Sequence, residues 1–162
     1  MKIRKLALGA ALAFGLVAAG SALAATSNAV RETFVTTDDF DTVKAFLEEA
    51  LTARGLVVNN VSHVGEMLER TGKDLGDNKQ VFVKAEGIEF CSATFSRKMM
   101  EADPHNIVFC PYVISIYVLP SEPGKTYVSF RRPQMTGSKA SRAALRDVEK
   151  LLRGVVKEAL QQ

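Results

Sequence analysis

Residues 107–119 read Ile-Val-Phe-Cys-Pro-Tyr-Val-Ile-Ser-Ile-Tyr-Val-Leu. Beyond the first two dozen residues this is the longest apolar run in the chain, and its β-branched and aromatic side chains favour a strand. Both alternation phases are apolar, which predicts a central strand, with Pro111 tolerated only near its start or at a bulge. Ser121-Glu122-Pro123-Gly124 follows as a tight connection, and Thr126 to Arg132 reads as the returning strand of a hairpin.

Working upstream, Val81 to Phe90 is a further strand whose alternation stumbles at Gly87, as at a bulge. Between these strands Ser92 caps a helix of about ten residues, with Phe95, Met99 and Ala102 on its apolar face. Asp103-Pro104 ends it, because the residue before proline is pushed out of the helical region. Gly65 to Arg70 makes at most two helical turns, and Thr71 to Gln80, with two glycines and an Asp-Asn pair, reads as a loop. Earlier still, Arg31 to Thr37 and Leu56 to Val61 are strands on either side of a helix. Thr37, Asp38 and Asp39 supply N-cap chemistry there, and Gly55 stands at the C′ position. Phe40, Val43, Phe46, Leu47, Ala50 and Leu51 recur at three- and four-residue steps on one stripe of that helix. At the other end Pro133 to Ser138 is a loop. From Lys139 on, Ala144, Leu145, Val148, Leu151, Leu152, Val155, Val156 and Ala159 lay an apolar stripe along a C-terminal helix. Hairpin-linked strands with segregated helices predict an α+β fold, a mainly antiparallel sheet with helices packed on one face.

The chain has 162 residues, 47% apolar and 24% charged, values of an ordinary globular domain. Residues 1–24 stand apart. Lys2, Arg4 and Lys5 form a basic start, Leu6 to Gly20 an apolar stretch, and Ala22-Leu23-Ala24 a small-residue exit. That is the pattern of a secretory signal peptide cleaved between Ala24 and Ala25, with an apolar region too short to span a bilayer of about 30 Å as a free-standing helix. A periplasmic protein with no membrane insertion after processing is the expectation, with residues 25–162 as a single domain. The signal segment carries three of the 21 basic residues and none of the 18 acidic ones, so the remainder holds 18 of each. Without a net positive field, nucleic-acid binding is disfavoured.

Several stretches together resemble the domain of unknown function 302 family. They are Glu89-Phe90-Cys91; Phe95, Met99 and Met100; Ala102-Asp103-Pro104; and Phe109-Cys110-Pro111-Tyr112 before an apolar strand. The Phe40 helix, Ser62-His63 and the Arg131-Arg132-Pro133 exit sit where such domains place a helix, a turn and the final strand. The resemblance implies a TATA-binding-protein-like β-α-β-β-β-β-α arrangement with short extra helices, often as a homodimer, and implies no established activity.

Two cysteines, Cys91 and Cys110, are the only ones in the chain. In an oxidising compartment a disulfide is the first reading. If the strands ending at Phe90 and starting near Ile107 are antiparallel neighbours, the Cα atoms fall within the roughly 7 Å that a bridge requires. Inert buried thiols and a redox or metal site are the alternatives. His63 and Met67, four residues apart, would share a helical face if the short helix began one turn early. With Cys91, Cys110, Met99 and Met100 they form a soft donor inventory suited to copper or haem, although the cysteine spacing matches no zinc or c-type haem motif. Met99 also fits plain core filling, and His63 a surface turn. Glu89, at a strand end beside Phe90-Cys91, is placed to point into a cleft, and Arg131 with Arg132 to grip an anion or to blunt a strand edge. Glu89, Cys91, Cys110, Tyr112 and Arg131 are the ligand-binding candidates. No glycine-rich phosphate loop, nucleophile elbow or acid–base pair is present. The expectation is a non-catalytic module binding a small ligand or a protein partner, without a required cofactor; a redox or metal protein is the alternative.

Overall fold

The computed structural model describes residues 24–77 and 79–161. The expected signal segment therefore lies, except for Ala24, outside the described residues. Six strands form one sheet: β1 (Ala24–Ser27), β2 (Arg31–Thr36), β3 (Val57–Ser62), β4 (Lys84–Cys91), β5 (Tyr112–Val118) and β6 (Thr126–Arg131). Their order is β1-β2-β6-β5-β4-β3, and every neighbouring pair is antiparallel. Helices α1 (Phe40–Ala53), α2 (Val64–Leu75), α3 (Ala93–Ala102) and α4 (Lys139–Ala159) complete the domain, with a 3-10 turn at Pro104–Phe109. With β1, α2, α3 and that turn set aside, the expected β-α-β-β-β-β-α order remains. The fold is α+β.

One face of the sheet carries the core. Phe34, Ile88, Phe90, Ile114, Ile116, Val128 and Phe130 project from four strands into a cluster with Val43, Leu47 and Leu51 of α1, Met99 of α3, and Leu145, Val148 and Val155 of α4. The α1 stripe is buried as its spacing requires, with Phe46 at its margin. Asp39 caps α1 through its side chain, which accepts from the Asp41 and Thr42 N–H groups, and Gly55 takes the left-handed conformation at φ +67°. Polar links hold α4 in place. Arg153 grips both carboxylate oxygens of Glu32 on β2 at 2.8 and 2.6 Å and also reaches Glu149, which receives Arg132 at 2.9 Å. Buried Asn106 donates to the Met99 carbonyl and to Ser141 Oγ, both at 2.9 Å.

The structure departs from the sequence reading at five places. The edge strand β1 was not expected. Helix α2 runs to Leu75, through what reads as a loop. Gly76 ends it at φ +72°, and Gly72 is required because a Cβ there would lie 2.7 Å from the Asp77 carbonyl oxygen. The two glycines are thus a capping device at the helix end. Strand β4 starts at Lys84, and it keeps regular register through Gly87; the irregularity lies in β3, between Val58 and Asn60. Ser92 occupies the N-cap position of α3, but its side chain makes no capping bond. Finally, β5 begins only at Tyr112. Ile107 and Val108 belong to the 3-10 turn and are exposed, because Asp103-Pro104 starts a tight turn before the strand. β5 is central, as expected, but only one of its faces is covered by helices.

Candidate functional site

Strands β4 and β5 are paired from Lys84↔Val118 to Phe90↔Tyr112. The next residue of β4 is Cys91, and Cys110 lies just before β5. The antiparallel pairing therefore brings the two cysteines to one corner of the sheet, as the sequence argument required. Their sulfurs are 3.2 Å apart as free thiols, and both residues are half-buried. Ser96, one turn into α3, places its Oγ 3.6 Å from Cys110 Sγ and 3.1 Å from the Tyr112 hydroxyl. Burial, with the neighbouring Cys110 thiol, pushes Cys91 up to about 11. Burial likewise raises Tyr112. Tyr112 faces the helices and is nearly inaccessible, so it supports the corner from beneath rather than meeting a ligand directly.

The uncovered face of the sheet begins beside this corner. Glu89 lies opposite Val113, and one step along from the Ile114↔Phe130 pair brings Val113 alongside Arg131, which faces Arg31 across β2. One row across the sheet thus holds a carboxylate, an exposed valine and two guanidinium groups. Ser62 Oγ donates to Glu89 Oε1 at 2.7 Å and steadies it. The next row is small, with Ser129, Ser115 and Gly87. Beyond it Tyr117 and Tyr127 stack with ring centroids 5.2 Å apart, and Phe82 meets Tyr117 edge-on at 5.6 Å. The Tyr117 hydroxyl lies 3.3 Å from Ser129 Oγ, which donates to Thr33 Oγ1 at 2.9 Å. This face combines aromatic surface with satisfied polar groups, a composition suited to contact with another macromolecule.

His63 and Met67 are elsewhere. His63 precedes α2 and directs Nδ1 to Glu86 Oε1 at 3.2 Å, while Lys44 holds the other oxygen of Glu86 at 2.6 Å. Glu86 and Cys91 are five residues apart on β4, about 17 Å at strand rise. The proposed copper or haem donor set is therefore divided between opposite ends of one strand, and Met99 is buried in the core, which leaves a two-sulfur corner. Among the described residues, no three His, Cys, Asp or Glu side chains are grouped to hold a metal ion. His63, Glu66, Glu86, Phe40 and Lys84 instead line a cleft of about 360 Å³. Arg131 is exposed on the open face, whereas Arg132 is committed to Glu149. Sequence reasoning missed Ser96, Val113, Tyr117 and Tyr127. The alternation of Val113, Ser115 and Tyr117 with Ile114, Ile116 and Val118 held the signal for Val113 and Tyr117, and that of Tyr127, Ser129 and Arg131 with Val128 and Phe130 held it for Tyr127.

Comparisons with known proteins agree with this fold. The crystal structure of an uncharacterized conserved protein DUF302 from Bacillus stearothermophilus superposes with a TM-score of 0.67 at 20% sequence identity, covering 80% of this chain and 97% of that one. No curated protein matches the sequence. The family model described as Domain of unknown function DUF302 matches residues 32–162, from the second residue of β2 to the end of the chain, and the chain belongs to that family.

Proposed function

We propose that the protein is an exported, non-catalytic binding module that works as a homodimer, its two copies packed through the open faces of their sheets. The row Arg131–Val113–Glu89 is the observation that carries this reading. A two-fold axis along β5 at Val113 lays Arg131 of one copy over Glu89 of the other, twice, with the exposed valines between them. Such self-complementarity is what an isologous interface requires. Tyr117 and Tyr127 extend the contact with aromatic area. The Cys91–Cys110 corner then lies at the rim, where a small ligand or a further protein reaches it. Export to the periplasm rests on the basic start, apolar stretch and Ala-Leu-Ala exit of residues 1–24. Among the described residues no helix is long and apolar enough to cross a membrane.

Sedimentation of the purified protein tests the dimer. The wild type should sediment as a dimer, and Val113→Asp, which sets an acid beside Glu89 on the axis, should weaken association at least tenfold, or about 1.4 kcal/mol. A wild type that stays monomeric at high micromolar concentration would overturn the reading. Intact mass of the protein recovered from an export-competent Gram-negative host tests processing, with a chain beginning at Ala25 as the expected product.

A further inference from the structure

We propose that Cys91 and Cys110 form a thiol–disulfide exchange site, a pair that cycles between dithiol and disulfide by reaction with a disulfide or dithiol on a partner protein. The inference sets an exchange reaction at the cysteine corner in place of the non-catalytic part of that reading and stands independently of the dimer. Three observations converge on it. The sulfurs are 3.2 Å apart, so closing to the roughly 2.05 Å of a disulfide takes about 1 Å of movement. Both residues are only half-buried, at a corner where β4 ends, so an incoming sulfur has access. The Ser96 hydroxyl, 3.6 Å from Cys110 Sγ, is placed to donate to an anionic sulfur there.

The chemistry balances without a further reagent. Cys110 as thiolate attacks one sulfur of the partner disulfide, forming a Cys110–partner bond and releasing the other partner sulfur, which takes up a proton. Cys91 then loses its proton and attacks Cys110 Sγ. The Cys91–Cys110 bond forms, and the remaining partner sulfur leaves and is protonated. Two thiols of this chain are oxidised to a disulfide, and one partner disulfide is reduced to two thiols; the reverse sequence oxidises a partner dithiol. Ser96 Oγ, beside Cys110 Sγ, favours that sulfur as the attacking anion, and burial, which raises the Cys91 thiol, leaves Cys91 to act second.

Equilibration of the full-length protein with mixtures of reduced and oxidised glutathione, read by intact mass after acid quench, tests the site. Wild type should pass from two thiols to one disulfide within that range of mixtures. Cys91→Ser should trap glutathione on Cys110 at least tenfold more than wild type does, and resolution of the wild-type adduct should accelerate as the pH rises towards 11. If Cys91→Ser fails to fold, the transient wild-type adduct, captured by the quench and mapped to Cys110, decides instead. A bridge that survives a large excess of reduced glutathione would be a structural disulfide and would overturn the proposal, as would two thiols that never exchange. Sedimentation of the same samples reports the dimer separately, so either reading can fail alone.

Discussion

The two faces of the central sheet are built from the same three strands and differ in almost everything else. On the helix side Ile88, Phe90, Ile114, Ile116, Val128 and Phe130 are at most 2% exposed. On the other side the alternate residues are Glu89, Val113, Ser115, Tyr117, Tyr127, Ser129 and Arg131, a mixture of charge, hydroxyl and aromatic ring. Successive side chains of a strand point to opposite faces, so one short sequence specifies both a sealed core and an open face of charge, hydroxyl and aromatic ring. The helix face makes the domain stable, and the open face and its cysteine corner leave it surfaces to use.

The largest test of that contrast is Leu47→Ala. Leu47 is fully buried between α1 and the sheet. The loss of burial and the remaining cavity should cost about 2 to 5 kcal/mol in chemical denaturation. A change under about 1 kcal/mol would mean that α1 does not seal the core.

Arg153→Met should come next. It leaves Glu32 and Glu149, both buried, with one guanidinium fewer at the seam between α4 and the sheet. Removal of one partner from a buried pair costs more than the pair contributes. Because the Arg153 side chain is 32% exposed, the expected loss is discounted to about 1 to 3 kcal/mol, measured by denaturant midpoint.

On the open face Val113→Asp should change the stability of a dilute sample by less than about 1 kcal/mol, while weakening the proposed association. A core-sized loss there would erase the distinction between the faces.

Tyr127→Phe should be the mildest, at most about 0.5 kcal/mol. Its hydroxyl donates to Glu122 in the β5–β6 hairpin, and that carboxylate pushes Tyr127 up to about 12. Since the fold favours the protonated phenol, the hydrogen bond's contribution is present in full below the ordinary tyrosine value of about 10 and is lost as pH rises to about 12. A pH titration of stability should show this alkaline loss in wild type and its absence in the phenylalanine variant.

Much of this architecture was legible in local sequence. The α1 and α4 stripes follow a 3.6-residue period strong enough to name their buried residues, and Asp39, Gly55 and Asp103 mark element ends because capping and the pre-proline restriction act within a few residues. Reading was weaker where a local signal had two meanings. Gly72 and Gly76 suggest a loop by composition, yet they close a helix. Ile107 and Val108 look like strand, yet the turn set by Asp103-Pro104 carries them to the surface. At the candidate site both cysteines were identified and their meeting was foreseen from antiparallel pairing, whereas Ser96 was not, since nothing within its own helix marks it as a neighbour of residue 110.

The sequence by itself determined the types of α1, α3, α4 and of five of the six strands, the apolar stripes, the family resemblance and the two cysteines as the residues to watch. These follow from interactions a few residues long, or from patterns repeated along one element. Tertiary structure alone decided that β1 joins the sheet as its edge, that only one face of β5 is covered, that His63 pairs with Glu86 instead of the sulfurs, and that Glu89, Val113 and Arg131 fall in one row. Each of these depends on strand register and on which elements pack together. Those choices are made by the free energy of the whole chain, because a side chain's neighbours across a sheet lie tens of residues away.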